Sequence, residues 1–234
     1  HRPLMQRSAG APELLDRRAY AHLAELRDNL DDMARYGRRL GAFALARRRL
    51  SASCTGHLAL GLDLGCGGGE FLADLQSTQM VRRWVGVDLL WDVLRIARSK
   101  QGSAAYLQAD ALHLPLRDAG VDVIVGLHLL HHFDPPQTVD VLRECRRAAR
   151  ACVVLVDLSR SRLALAAAWL LTRLTSRNRL TRSDGVLSVR RAYTVAEAAE
   201  LARQAGWECV HAEQHGLFYY SLVWSSSAIN RNSA

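Results

Sequence analysis

A glycine-rich run and three spaced carboxylates are the residues of this 234-residue chain best suited to holding a reactive ligand. Leu60-Gly61-Leu62-Asp63-Leu64 leads directly into Gly65-Cys66-Gly67-Gly68-Gly69-Glu70. Glycines between a buried strand and a helix let the main chain approach a ligand closely, since no Cβ intervenes. A glycine string alone is a weak signal, but here it follows an apolar run and opens a helical pattern. Asp63, just ahead of the glycines, can receive the ammonium of an amino-acid ligand. Position 70 is Glu, so the third glycine of the dinucleotide pattern GxGxxG is missing. A pyrophosphate would also sit poorly beside these carboxylates.

Asp88 follows the next apolar run, about twenty residues on, where a carboxylate can accept both ribose hydroxyls. Asp110, in Gln108-Ala109-Asp110-Ala111, ends the third run and can accept a hydrogen bond from an adenine amine. Singly, each aspartate reads as a helix cap or turn residue. Together, at three successive strand ends, they point to S-adenosylmethionine (SAM), with S-adenosylhomocysteine as product. The expected contact set is Asp63, Gly65, Cys66, Gly67, Gly69, Asp88, Leu89, Asp110, Ala111 and His128.

A second group lies beyond the fourth apolar run: His128, His131 and His132, with Asp157 after the fifth. Methyl transfer to a hydroxyl needs an aligned nucleophile and removal of its proton. Imidazole, with an ordinary pKa of about 6.5, can do this near neutrality. The expectation is that His131 or His132 is the base and that Asp157 orients it or contacts the acceptor. A metal site built from the three histidines is set aside, because the next helix starts near Pro135, and no metal is expected.

The elements that position these groups follow from hydrophobic patterning. Short apolar runs at 58–64, 84–87, 105–108, 121–127 and 152–156 alternate with amphipathic stretches at 70–76, 90–99 and 137–149. Buried strands alternating with helices predict a doubly wound α/β fold with a mostly parallel sheet. Thr194 and Glu197 form a capping-box pattern opening a further helix that ends near Gly206. Two strands are expected after it, at 207–212 and 217–224. Residues 12–50 read as two helices broken at Asp31-Asp32, and 51–56 as a linker. The expected division is an N-terminal helical cap (1–57) and a ligand-binding domain (58–234).

Residues 159–191 interrupt the alternation with an apolar helix pattern, eight arginines and one acid, Asp184. This insertion reads as a helical lid over the acceptor. Trp169, Arg191, Tyr193 and Tyr219 are the expected substrate contacts, with Arg190 and Arg191 suited to an acidic acceptor group.

Composition narrows the classes. Hydrophobic residues make up 49% and charged residues 23%, as in ordinary globular proteins. The net charge of +8 comes almost wholly from arginine, Lys100 being the only lysine. Such a balance permits nucleic acid, membrane surface or anionic acceptor without choosing among them. The first thirty residues are charged rather than apolar, so no secretory signal is expected. The longest apolar stretch, 163–171, is about half of what a bilayer crossing needs. Five cysteines at 54, 66, 145, 152 and 209 lack metal spacing, and their odd number argues against a disulfide framework. A reducing cytoplasm is the expected compartment.

The motifs resemble those of class I SAM-dependent methyltransferases: LDLGCGGGEF the first, VGVDLL the second, QADALHLPL the third and VDVIVGLHLLHHF the fourth. The resemblance spans about 58–157 and implies a seven-stranded sheet whose last strand is antiparallel. It departs from the family where residues 146–151 replace the usual Pro-Gly-Gly turn. More loosely, the stretches starting at Asp157, Asp184 and Leu217 resemble a bacterial group associated with polyketide and phenolic natural products. That resemblance implies O-methylation of a hydrophobic, aromatic or polyketide hydroxyl in secondary metabolism. A small-molecule acceptor is expected, with no nucleic acid and no transmembrane segment, and a homodimer is allowed. A nucleic-acid methyltransferase is the second reading, although HLLHHF lacks the Asn/Asp-Pro-Pro-Tyr pattern of amino-group methylation. A SAM-binding cyclase or regulator on the same fold is the third.

Overall fold

The computed structural model describes residues 5–8, 12–54, 58–100 and 104–226. Two helices come first, α1 (Leu23–Arg39) and α2 (Ala42–Ser53). An alternating core follows: β1 (Leu58–Leu64), α3 (Glu70–Ser77), β2 (Val81–Asp88), α4 (Trp91–Lys100), β3 (Ala105–Gln108) and β4 (Val121–Leu127). A 3-10 turn (Leu130–His132), α5 (Pro135–Ala148) and β5 (Ala149–Leu158) complete it. The insertion is α6 (Arg162–Thr175) and α7 (Arg179–Arg191), and α8 (Val195–Gln204), β6 (His211–His215) and β7 (Tyr219–Ser225) end the chain's described part.

The strands form one sheet in the order β3-β2-β1-β4-β5-β7-β6. The pairs among β1 to β5 are parallel, while β7 runs antiparallel to both β5 and β6. This is the expected seven-stranded doubly wound sheet.

Side chains alternate across a strand, and both faces here are covered, which is why the strands read as unbroken apolar runs. Val153 and Leu155 of β5 join Leu142, Tyr193, Ala198 and Trp207 under α5 and α8. Cys152, Val154 and Val156 join Phe43, Leu50, Phe71 and Trp84 under α2 and α3. Each fully buried large side chain contributes roughly 1.5–3 kcal/mol of transfer free energy, so these two layers hold the sheet's carboxyl edge rigid.

Several expectations change. Asp31 and Asp32 lie inside α1: Asp31 pairs with Lys100, and Asp32 accepts from Arg35 and Ser176. The break falls at Gly41, whose φ of 90° favours a residue without a Cβ. Residues 12–22 make turns rather than a helix, because Asp184 takes the main-chain N–H groups of Leu14 and Leu15. Of the expected linker, Ser51 to Ser53 finish α2, and 55–57 lie outside the described residues. Trp207 is in the core, donating its indole N–H to Leu142 O, and the strand expected there begins at His211. Cys54 and Cys152 are joined as a disulfide, against the expectation of scattered free thiols. Cys66, Cys145 and Cys209 are free. Among the described residues no helix is long and apolar enough to cross a membrane.

Candidate active site

The glycine loop begins where β1 ends. Asp63, buried, keeps one carboxylate oxygen, Oδ2, without a hydrogen-bond partner. Burial, reinforced by the charge of Asp88, pushes its pKa up to about 8. A buried acid in that state gains most from a cationic group brought beside it. Gly67 has a φ of 53° and faces the cavity described below, with only Leu30 near the position of a Cβ. Gly69, also left-handed, is held instead by packing, since a Cβ would meet Tyr106 Oη at 2.5 Å.

Asp88 closes the loop from β2. Its Oδ2 accepts the N–H of Gly67 at 3.1 Å and its Oδ1 that of Leu90 at 3.0 Å. Burial raises its pKa, and those main-chain donors partly oppose the rise. Asp110 accepts the N–H of Leu112 at 2.9 Å in the turn after β3.

A cavity of ≈ 220 Å³ opens at this loop. Of the expected cofactor contacts, Asp63, Gly65, Cys66, Gly67 and His128 line it. Gly69, Asp88, Leu89, Asp110 and Ala111 are not in its lining; Leu89 is exposed and Ala111 is buried in the sheet core. The walls come from all sides: Met33 and Phe43 from the N-terminal helices, Leu171 and Val189 from the insertion, Phe218 and Tyr219 from the β6–β7 hairpin.

The histidines occupy three different environments. His128 has a φ of 52°, stacks its ring on Tyr219 with centroids 5.5 Å apart, and leaves Nε2 unpartnered. Burial pushes its pKa down to about 4, so it is neutral. His131, on the 3-10 turn, donates its main-chain N–H to Asp157 Oδ2 at 3.0 Å and places Nδ1 2.7 Å from Asp157 Oδ1. Its Nε2 lies 3.5 Å from Glu13 Oε1. Burial opposes the imidazolium, but Asp157 and Glu13 outweigh it and raise the pKa to about 10. His132 is more open; its Nδ1 lies 3.1 Å from Asp16 and its Nε2 4.0 Å from Glu13 Oε2. Burial alone would raise Glu13, yet His132 and His131 hold it down at about 2.

The structure thus brings His131, His132 and Asp157 together, as expected, and adds Glu13 and Asp16. Nothing in the spacing of the sequence connects residue 13 to residue 131. Glu13, His131 and His132 each offer a ligand atom, all within 4.8 Å of one another, whereas His128 is not in this group.

The expected substrate contacts divide. Tyr219 lines the cavity. Arg191 is buried, and its guanidinium donates to the carbonyls of His131 and His132, clamping the turn rather than meeting an acceptor. Arg190 likewise has no place in the lining. Tyr193 donates to Phe133 O at 2.8 Å inside the core. Trp169 is 49% exposed, beneath Arg173 and outside the cavity.

Comparison with known proteins bears on the fold and on the stretch that carries the glycine loop. Residues 62–152 match a family model described as a methyltransferase domain. The human "Probable tRNA methyltransferase 9B" is 33% identical over 91 residues, covering 39% of this chain and 18% of that protein. A probable S-adenosylmethionine-dependent methyltransferase of Mycobacterium tuberculosis (strain ATCC 25618 / H37Rv) is 34% identical over 110 residues, covering 47% and 38%. The chain therefore spans well under half the length of these relatives. Among solved structures, human N-acetylserotonin methyltransferase in complex with SAM superposes with a TM-score of 0.65 at 17% identity, covering 93% of this chain and 60% of that one. A likeness at that identity speaks for the fold, and the match over the glycine loop for the cofactor. Over residues 62–152 the chain is thus similar to methyltransferase domains, and that match supports S-adenosylmethionine as the cofactor.

Proposed function

We propose that the protein methylates a hydroxyl of a hydrophobic small molecule, aromatic or polyketide in character, at the expense of SAM. The observation that carries this reading is a single cavity whose lining holds two differently built polar groups. In this reading Asp63 and the glycine loop are its cofactor end, and Glu13, His131 and His132 its acceptor end, among apolar walls.

SAM supplies a methyl group already activated by its sulfonium. Asp63, with its unpartnered oxygen, receives the ammonium, and the carboxylate of Asp88 keeps lone pairs for the ribose hydroxyls. His128, neutral and stacked on Tyr219, walls the cavity without competing for protons. His131, a cation fixed by Asp157, gives the acceptor's developing oxyanion a positive neighbour. His132, with the more open side chain, takes the base role that the sequence leaves undecided between the two. A phenol-like acceptor with a pKa of about 10 is mostly protonated at neutrality. Base assistance then contributes about 10²–10⁴-fold.

The cavity is smaller than the roughly 300–1,000 Å³ of ligand pockets, and in this reading its walls part to admit the acceptor and the methionine end of the cofactor. Residues 159–191 serve as the lid in this reading. Hydrogen exchange tests that: added protection across them with S-adenosylhomocysteine and acceptor is expected, and its absence refutes a lid.

A nucleic-acid acceptor is the second reading, favoured by the relative named as a tRNA methyltransferase and by the +8 charge. The experiment that decides is SAM titration by calorimetry followed by methyl transfer to a phenol panel and to mixed tRNA, read by mass. Absent SAM binding sinks both readings. Methylated tRNA with salt-dependent, submicromolar binding and untouched phenols sinks the first.

A further inference from the structure

The acceptor end of the cavity carries more ligating groups, in a more ordered arrangement, than proton transfer alone requires. Two imidazoles turn their Nε2 atoms toward one carboxylate: His131 at 3.5 Å from Oε1 of Glu13, and His132 at 4.0 Å from Oε2. Each imidazole is fixed from behind by a different carboxylate, His131 Nδ1 by Asp157 at 2.7 Å and His132 Nδ1 by Asp16 at 3.1 Å. Glu13 is itself held by the hydroxyl of Ser188, 2.5 Å from Oε1.

Histidines that ligate a metal almost always donate the other ring N–H to a carboxylate or carbonyl, which fixes the tautomer and aims the free nitrogen. Both histidines here have that partner, and both aim at the same carboxylate. Ligand atoms about 2.0–2.1 Å from a tetrahedral Zn²⁺ stand roughly 3.3 Å apart. The His131–Glu13 pair is already close to that spacing, and the whole group needs only a modest contraction from its 4.8 Å limit.

We propose that Glu13, His131 and His132 bind one divalent transition-metal ion, which displaces the Nε2 proton of His131 and, when bound, replaces the base role of His132, with Asp157 and Asp16 as positioning carboxylates and a coordination position left toward the cavity. Two nitrogens and one oxygen suit Zn²⁺, Mn²⁺ or Fe²⁺ better than Mg²⁺ or Ca²⁺, which prefer all-oxygen sets. All three residues line the cavity, so the open position faces apolar walls that fit an acceptor with an oxygen donor. An ion there lowers the pKa of a bound hydroxyl. The assignment of that oxygen to the acceptor rests on the function proposed above; the metal site itself does not.

Zn²⁺ titration of the full chain by calorimetry, with Co²⁺ absorption as a second readout, tests the site. Cys209, exposed, is replaced by Ser throughout so that a thiolate contributes no signal. One equivalent of Zn²⁺ is expected at pH 7.5, together with the visible bands of Co²⁺ in an N/O site. Glu13→Gln and His132→Gln should abolish both. Asp16→Asn should weaken Zn²⁺ by about 10–100-fold with the Co²⁺ bands kept. Far-UV circular dichroism and SAM affinity confirm that each variant is folded; His132, partly open, is the one least disturbed by replacement. No stoichiometric binding by the parent, or binding retained in both Gln variants, overturns the proposal. If the parent binds SAM but no ion, the metal site fails and methyl transfer stands. If it binds the ion but no SAM, the reverse holds.

Discussion

The two ends of the cavity handle buried charge in opposite ways. At the glycine loop, Asp63 and Asp88 crowd two carboxylates together; burial raises both pKa values, opposed at Asp88 by main-chain donors and by His132. At the acceptor end, carboxylates and imidazoles are interleaved. Glu13 falls to about 2 while His131 rises to about 10, each through the other's charge and through Asp157 and His132. The first end is incomplete until a cation arrives. The second has its charges paired within the protein. Binding specificity for an ammonium ligand comes from the unmet charge, and positional order at the acceptor comes from the met one.

If this contrast holds, equal substitutions at the two ends act on different quantities. Asp157→Asn leaves the buried His131 with Glu13 as its remaining charge partner, and breaking a buried pair costs up to about 3–5 kcal/mol. Urea unfolding should show that loss, with SAM affinity unchanged. A variant as stable as the parent would mean that His131 is not charged in the native state.

Asp63→Asn should do the reverse. Stability should hold or rise near neutral pH, because no ion pair is lost and the burial penalty that raises the Asp63 pKa is removed, while each charge-assisted contact to the ammonium is worth roughly 1.5–3 kcal/mol. SAM affinity should fall tenfold or more by calorimetry. Undiminished affinity would remove Asp63 from the cofactor site.

Asp88→Ala removes the group that holds Gly67 and Leu90, as well as any ribose contact. An affinity loss of about an order of magnitude is expected from one or two such bonds, accompanied by a lower unfolding temperature. Loss of stability alone would limit Asp88 to closing the loop.

The smallest effect is a pH dependence. Asp63 has a pKa of about 8 when folded and 3.8 as its ordinary value. The native state therefore binds one proton more than the unfolded state between these limits. Its contribution to stability is full below pH 3.8 and is lost as pH rises toward 8. Pairing with an ammonium requires the ionised form, so SAM binding expels that proton. Affinity should rise between pH 6 and 7.5, by less than tenfold per unit, and calorimetry in buffers of different ionisation heat should register proton release. Asp63→Asn should flatten both. A flat profile in the parent would mean that Asp63 is already ionised.

Much of the architecture is legible in the sequence. The runs at 58–64, 105–108 and 121–127 are β1, β3 and β4 at their observed bounds, since a strand buried on both faces has no polar interruption. The capping box at Thr194 and Glu197 forms as its spacing implies. The glycine loop with Asp63 is equally local: one strand end and one helix start build it. Other features depend on partners that the local pattern does not reveal. The N-terminal segment around Glu13 has the composition of a helix, yet the carboxylate of Asp184 captures its main chain and redirects it. Arg191 and Tyr193 look like ligand-binding side chains, but the carbonyls of the His131–Phe133 turn are free after a 3-10 turn and claim them. Trp207 resembles the first residue of a strand because a buried indole and a strand residue share the same hydrophobicity.

The disulfide between Cys54 and Cys152 divides the two N-terminal helices mechanically. Cys54 caps the end of α2, so the bond rivets that helix to β5 in the centre of the sheet. α1 has no such fastening. It joins α2 through Gly41, where a left-handed backbone sits in open space; it meets α7 through the amide of Asn29 on Thr181 and α6 through the hydroxyl pair of Tyr36 and Thr175. Such hydrogen bonds are individually worth about 0.5–1.5 kcal/mol, since water replaces them when they open. The rivet therefore fastens α2 covalently to the sheet, whereas α1 is held by these hydrogen bonds and by the packing of Leu26 and Leu30 on Val93 and Ile96 of α4.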